Sequence, residues 1–139
     1  MAKDRKFFGL EIPFIELLQA QDGPLEKGRA TAAVEVRREL HNSWGYAHGG
    51  VVMTLLDVTM GQAARSGLPQ GTGVVTIDLN VSFVSAGRGR LTVEARVLRS
   101  GGSIVFCEGE VRDAAGELVA KGMASFKVKK KVSRGETAG

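Results

Sequence analysis

The chain has one cysteine, three prolines, one tryptophan and one tyrosine in 139 residues. A lone Cys107 excludes an intrachain disulfide, and with only His41 and His48 as imidazoles there is no ligand set for a metal centre. No apolar run approaches the roughly 20 residues that a bilayer-spanning helix needs, so no membrane association is expected. Met1-Ala2-Lys3-Asp4-Arg5-Lys6 leads into no apolar stretch of signal-peptide length, and the expected compartment is the reducing cytoplasm. With 43% hydrophobic and 24% charged residues, the composition is that of one globular domain able to bury a core, neither disordered nor collagen-like.

A one-signed charge is also missing from most of the chain. The net charge of +4 resides wholly in the residues from Lys127 onward, and everything before them is balanced. A nucleic-acid-binding face would spread its basic residues over a folded surface with aromatics between them. No nucleic-acid partner is expected; the pattern predicts one domain over 1–128 and a basic, disordered tail over 129–139.

What the chain does have is a change of period. Pro13 followed by Phe14, Ile15, Leu17 and Leu18 predicts a short amphipathic helix, stopped by Gln21-Asp22-Gly23-Pro24. Alternation over Ala30–Val36 predicts a strand, and the polar stretch His41 to Gly50 a loop. Residues 51–65 are apolar almost all round, which predicts a long helix buried on most sides. Val75, Ile77, Leu79, Val81 and Phe83 then alternate with Thr76, Asp78, Asn80 and Ser82, and three further strands are predicted near 90–98, 103–112 and 117–128. The expected fold is α+β: an antiparallel meander of these four strands with one central helix against a sheet face.

Asp57 is out of place in this pattern. It lies mid-helix between Leu56 and Val58, too far in to cap the N-terminus, and a buried carboxylate without a partner is costly. Two readings stand: an exposed helix edge beside Thr54 and Gln62, or a catalytic carboxylate in a cleft. The start of the helix adds a second feature. In His48-Gly49-Gly50 the two glycines leave backbone N–H groups unshielded at the positive end of the helix, where they suit an oxyanion or a polarised carbonyl. Gly49 and Asp57 are eight positions apart, which on a helix is about 12 Å. A donor and a nucleophile must both lie about 3 Å from one reacting carbonyl, so within one chain they cannot serve it together. If both serve one reaction, two copies must pair, with two equivalent sites at a two-fold interface.

The run Asn42-Ser43-Trp44-Gly45-Tyr46-Ala47-His48-Gly49-Gly50, followed by Leu55, Asp57, Gly61 and Ala63, resembles the hotdog-fold acyl-CoA thioesterases of the phenylacetate-degradation (PaaI-like) type. The resemblance runs over about residues 10 to 128. It implies a curved antiparallel sheet wrapped around one long central helix, in dimers and often dimers of dimers that share sites between chains. It implies that Asp57 is the catalytic nucleophile or the base for a water, and that the Gly49 N–H polarises the thioester carbonyl. Asn42 would help hold that carbonyl or the water, His48 would orient the loop, and Thr76 would place a hydroxyl near the attacking water. Thioester hydrolysis of this kind needs no metal and no cofactor. For an anionic acyl-CoA, Arg88, Arg90 and Arg99 at strand ends are candidate contacts, with Gly50 at the helix start. Trp44 and Tyr46 either line the acyl pocket or pack the loop, and Cys107 is core filler. The alternative function on the same fold is a non-catalytic acyl-CoA-binding module.

Overall fold

In a computed structural model, residues 6–130 are described. The elements are α1 (Pro13–Leu18), β1 (Gln21–Glu26), β2 (Arg29–Glu35), a single 3-10 turn (Arg38–Leu40), α2 (Gly49–Ser66), β3 (Thr72–Phe83), β4 (Arg90–Gly101), β5 (Ile104–Arg112) and β6 (Leu118–Lys130). The six strands form one antiparallel sheet in the order β1-β2-β4-β5-β6-β3, and α2 packs on it. The α+β reading holds, and the long helix begins two residues earlier than expected.

Three expectations are corrected. Gln21-Asp22-Gly23-Pro24 does not merely end a helix; it opens edge strand β1. Its register with β2 shifts between Asp22 and Leu25, so Pro24, which has no N–H to give, sits where the ladder is broken. The last four strands are not a simple meander. β4, β5 and β6 are, but β3 pairs only with β6 and lies at the sheet's other edge. Ser85-Ala86-Gly87 is therefore part of a crossover and not a hairpin turn. Gly87 accepts the Ala47 N–H through its carbonyl at 2.9 Å, and Gly89 accepts the Val36 N–H at 2.8 Å. A side chain at Gly87 would meet Leu91, Val119 and Ala47 at 3.0–3.4 Å, so this connection is pressed against the loop that leads into α2. Lastly, Lys129 and Lys130 belong to β6, paired with Gly73 and Thr72. The remainder of the expected basic tail lies outside the described residues.

The helix is seated by small residues. Gly109 on β5 and Gly122 on β6 face each other across the ladder, and a Cβ on either would approach Leu56 of α2 to 3.0 and 3.2 Å. Leu56 and Met60 fill the space that the glycines leave, above Val93, Val105, Val111 and Phe126. Cys107 is buried among these side chains; burial pushes its thiol up to about 12, so it stays protonated and acts as apolar filler.

Gly109→Ala and Gly122→Ala are expected to destabilise the fold by roughly 1–3 kcal/mol through overpacking against Leu56. Gly101→Ala, which meets nothing within 4 Å, is the neutral control, with urea unfolding as the measurement.

Candidate active site

The residues before α2 form a tight loop whose polar groups are largely used to shape it. The Asn42 side-chain carbonyl accepts the N–H groups of Trp44 (2.9 Å) and Tyr46 (3.1 Å), while the Asn42 N–H donates to the Tyr46 carbonyl (2.7 Å). This is the local side chain-to-backbone bonding that lets asparagine organise turns. The two accepted N–H groups fix which end of the amide is oxygen, and they leave Nδ2 free to donate elsewhere.

His48 is the N-cap of α2. Its Nδ1 accepts the Gly50 N–H at 2.8 Å, and its carbonyl accepts the Val51 N–H at 2.9 Å. The Gly49 N–H, by contrast, has no acceptor among the described residues. Of the two glycines singled out in the sequence, the structure leaves Gly49 as the open donor, while Gly50 is spent on the cap. Gly49 opens on a cleft of about 270 Å³ with Asn42, Tyr46, Phe83 and Gly87 in its walls. Phe83 went unremarked as a site residue because its only sequence signal was a place in an apolar alternation. Its ring lies where a Cβ on Gly49 would meet it at 3.4 Å.

Asp57 lies on α2, eight residues after Gly49. It is half-buried on the stripe of α2 that the sheet leaves uncovered, beside Met53 and Thr54, whereas Gln62 is buried. It is not unpartnered: Thr76 Oγ1 donates to Asp57 Oδ1 at 2.7 Å. Strict alternation would have turned Thr76 away from the helix with Asp78 and Asn80. The register between β3 and β6 shifts between Thr76 and Asp78, so Ile77 is a bulge. Thr76 thereby joins Leu79, Val81 and Phe83 on the helix side, opposite Phe126.

The other predicted contacts separate. Arg88 stacks on Tyr46, its guanidinium 4.6 Å from the ring centroid and its Nη2 donating to the Tyr46 hydroxyl at 2.9 Å. Arg90 is instead engaged by Gln21 at 3.3 Å and Glu35 at 3.5 Å, bracing the β1–β2 side. Arg99 lies nine residues from Arg90 along β4, roughly 30 Å away at the other end of the strand. Within one chain the three arginines do not converge. Trp44 is 82% exposed in the single chain and does not line the cleft at Gly49. No three His, Cys, Asp or Glu side chains gather as a metal ligand set among the described residues.

One chain therefore carries two separate polar groups: Gly49 and Asn42 with open donors at and before the start of α2, and Asp57 bonded to Thr76 further along it. A family model of the thioesterase superfamily matches residues 45–120. A protein of Saccharolobus solfataricus with the provisional name esterase SSO2140 is 36% identical over 103 residues, 73% of each chain. Among solved structures, the BH2602 protein of Bacillus halodurans with CoA is 31% identical at a TM-score of 0.78, covering 85% of this chain and 76% of that one. The E. coli PaaI protein of the phenylacetic acid degradation operon shares the fold, with a TM-score of 0.79 at 19% identity over 88% and 87% of the two chains. The chain belongs to the thioesterase superfamily. It has the hotdog fold and is a thioester hydrolase, as the resemblance implied.

The cap gives a direct test of how the donor end is held. His48→Ala is expected to cost about 1 kcal/mol of stability in urea unfolding, and His48→Asn, a good N-cap, to recover most of it.

Proposed function

We propose that the protein hydrolyses acyl-CoA thioesters at two composite sites of a homodimer, the Asp57 carboxylate of one chain facing the Gly49 N–H of the other. The observation that carries this reading is the pairing of one open N-terminal donor on α2 with one oriented carboxylate on the same rigid helix. The rise of the helix keeps them about 12 Å apart, too far to share a carbonyl within a chain.

The sheet's two edges are unequal in a way that favours such a dimer. β1 is short, bulged and interrupted by Pro24, the usual devices that protect an edge. β3 has 12 residues, no proline, and exposed Val75, Ile77 and Phe83. A two-fold axis through Asn80 would set Leu79 opposite the partner's Val81 and Asp78 opposite the partner's Ser82, like faces together. The same pairing brings the bulge at Thr76 and Ile77 opposite the partner's Phe83. Because Thr76 holds Asp57 and Phe83 lies against Gly49, Asp57 then approaches the partner's Gly49.

The chemistry suits the parts. A thioester carbonyl has little resonance stabilisation and a good thiolate leaving group, so a positioned carboxylate and an oxyanion donor supply what is needed. The Thr76 bond to Oδ1 leaves Asp57 Oδ2 to attack the carbonyl or to take a proton from water. Gly49 N–H and Asn42 Nδ2 are the donors for the oxygen on which charge develops. Arg88, held against the cleft-lining Tyr46, keeps N–H groups for the phosphates of CoA. The CoA in the Bacillus halodurans structure supports this choice of carrier.

Asp57→Asn is expected to lower kcat for thiol release by at least about a thousandfold without unfolding the protein. Gly49→Pro removes the donor at a position where proline is tolerated, the first residue of a helix, and is also expected to be inactive. Refolding the two variants together is expected to restore about a quarter of wild-type activity, because half of the randomly assorted dimers carry one intact composite site. A mixture as inactive as its components would reject the shared site. In a separate variant, Asn42→Asp keeps the oxygen that Trp44 and Tyr46 use but removes Nδ2. Its kcat is expected to fall by roughly a hundredfold with stability unchanged.

A further inference from the structure

A second and larger cavity, about 520 Å³, lies on the other side of the α2 N-terminus, between that helix and α1. Its walls are mainly apolar, chiefly Phe14, Leu17, Leu18, Leu40 and Val51, with Glu39 and His41 as polar neighbours. It shares His48 and Gly50 with the N-terminus of α2, so the Gly49 donor stands between it and the smaller cleft that holds Asn42. Phe14 and Leu17 are 55% and 67% exposed, large apolar side chains left on the groove's outer wall while Ile15 and Leu18 anchor the same helix in the core.

One polar side chain adds to the hold that Ile15 and Leu18 give this wall. α1 has only six residues, too few to persist by its own hydrogen bonds. Arg37 Nη2 donates to the Leu17 carbonyl at 2.7 Å and Nη1 to the Leu18 carbonyl at 2.9 Å, meeting two of the carbonyls that the helix leaves open. This fork joins the end of α1 to the segment after β2.

Resting on the reading of the site given above, we propose that this groove is the subsite for an apolar acyl chain of medium length, and that Arg37 is the positioning residue that keeps α1 as its wall. The occupant follows from continuity with the donor. A thioester carbonyl at Gly49 has two substituents to place; the polar, anionic CoA arm matches the smaller cleft with Arg88 against its Tyr46, and the apolar groove is left for the acyl group. A groove of this size is of the kind that encloses a ligand and greatly exceeds what an acetyl group fills. Each methylene it covers strengthens binding by roughly fourfold.

The test uses non-hydrolysable thioethers, so that it reads binding without turnover. By calorimetry on the full chain, S-octyl-CoA is expected to bind at least about thirtyfold more tightly than S-methyl-CoA. Leu17→Asp, at an exposed position that should tolerate it, is expected to cut that ratio by about tenfold or more. With octanoyl-CoA as substrate, Arg37→Ala is expected to raise KM by about tenfold with kcat changed less than about twofold, and Arg37→Lys to recover part of the loss. Equal affinity for the two thioethers in the unaltered protein, or a ratio that Leu17→Asp leaves unmoved, would overturn the subsite. Thiol release that is indifferent to chain length would overturn it too, while leaving the hydrolase reading intact. Chain-length-dependent thioether binding with no thiol release from any acyl-CoA would do the reverse.

Discussion

The helix works as a ruler, and that constraint organises the rest of the molecule. α2 is an 18-residue rod with Gly49 at its start and Asp57 two turns and a fraction further on. Nothing in one chain can shorten that spacing without breaking the hydrogen bonds of the helix. The rod is also fixed against the sheet, because Leu56, the neighbour of Asp57, drops into the space opposite the Gly109–Gly122 pair. The acid is thereby set in height and rotation by a contact that involves no polar group at all.

The polar groups around the site divide their work with little overlap. His48 uses Nδ1 and its carbonyl to satisfy the first helical N–H groups, and Asn42 uses Oδ1 to close the loop. What these bonds leave over are two donors, Gly49 N–H and Asn42 Nδ2. On the acid side, Thr76 occupies one carboxylate oxygen and leaves the other. The crossover after β3 braces this arrangement from behind, since Gly87 both bonds Ala47 and has no room for a side chain. The segment that places β3 at the edge is thus the same segment that supports the donor loop.

Much of this was legible in the sequence, and the exceptions have physical causes. The apolar run of α2 and the alternation of the strands determine burial, which pattern reports well. Pattern does not report which strand lies beside which, so chain order alone puts β3 next to β4 and hides its open edge. Nor does alternation reveal a bulge: Thr76 reads as an outward residue, and only the extra residue at Ile77 turns its hydroxyl onto Asp57. Gly23-Pro24 carried a turn signal that was real, but in an edge strand a broken ladder is tolerated and the chain pairs on either side of it. The three arginines all fall near strand ends in the sequence, yet the two ends of β4 lie roughly 30 Å apart, so Arg90 and Arg99 cannot meet within a chain. Asn42, His48, Gly49 and Asp57 stand out in the sequence because they lie within one short run and one helix, where local spacing fixes their separation along the chain.

The exposed stripe of α2 then explains why an acid is tolerated in so apolar a helix. In the single chain Asp57 stays in contact with water beside Met53 and Thr54, so the chain folds without the cost of sealing a charge inside it. Laying a second copy along β3 would cover that stripe and the partner's donor loop together. Water would be displaced where the carbonyl must bind, and the interaction of carboxylate and backbone dipole with the substrate would strengthen in the drier surroundings. The bulge belongs to the same solution. It lies on the unprotected edge strand, so the hydroxyl that orients the acid sits at the line along which two chains would meet. On the proposed reading, the open edge beside a half-buried acid is the feature that would let a second chain cover the acid and supply the donor together.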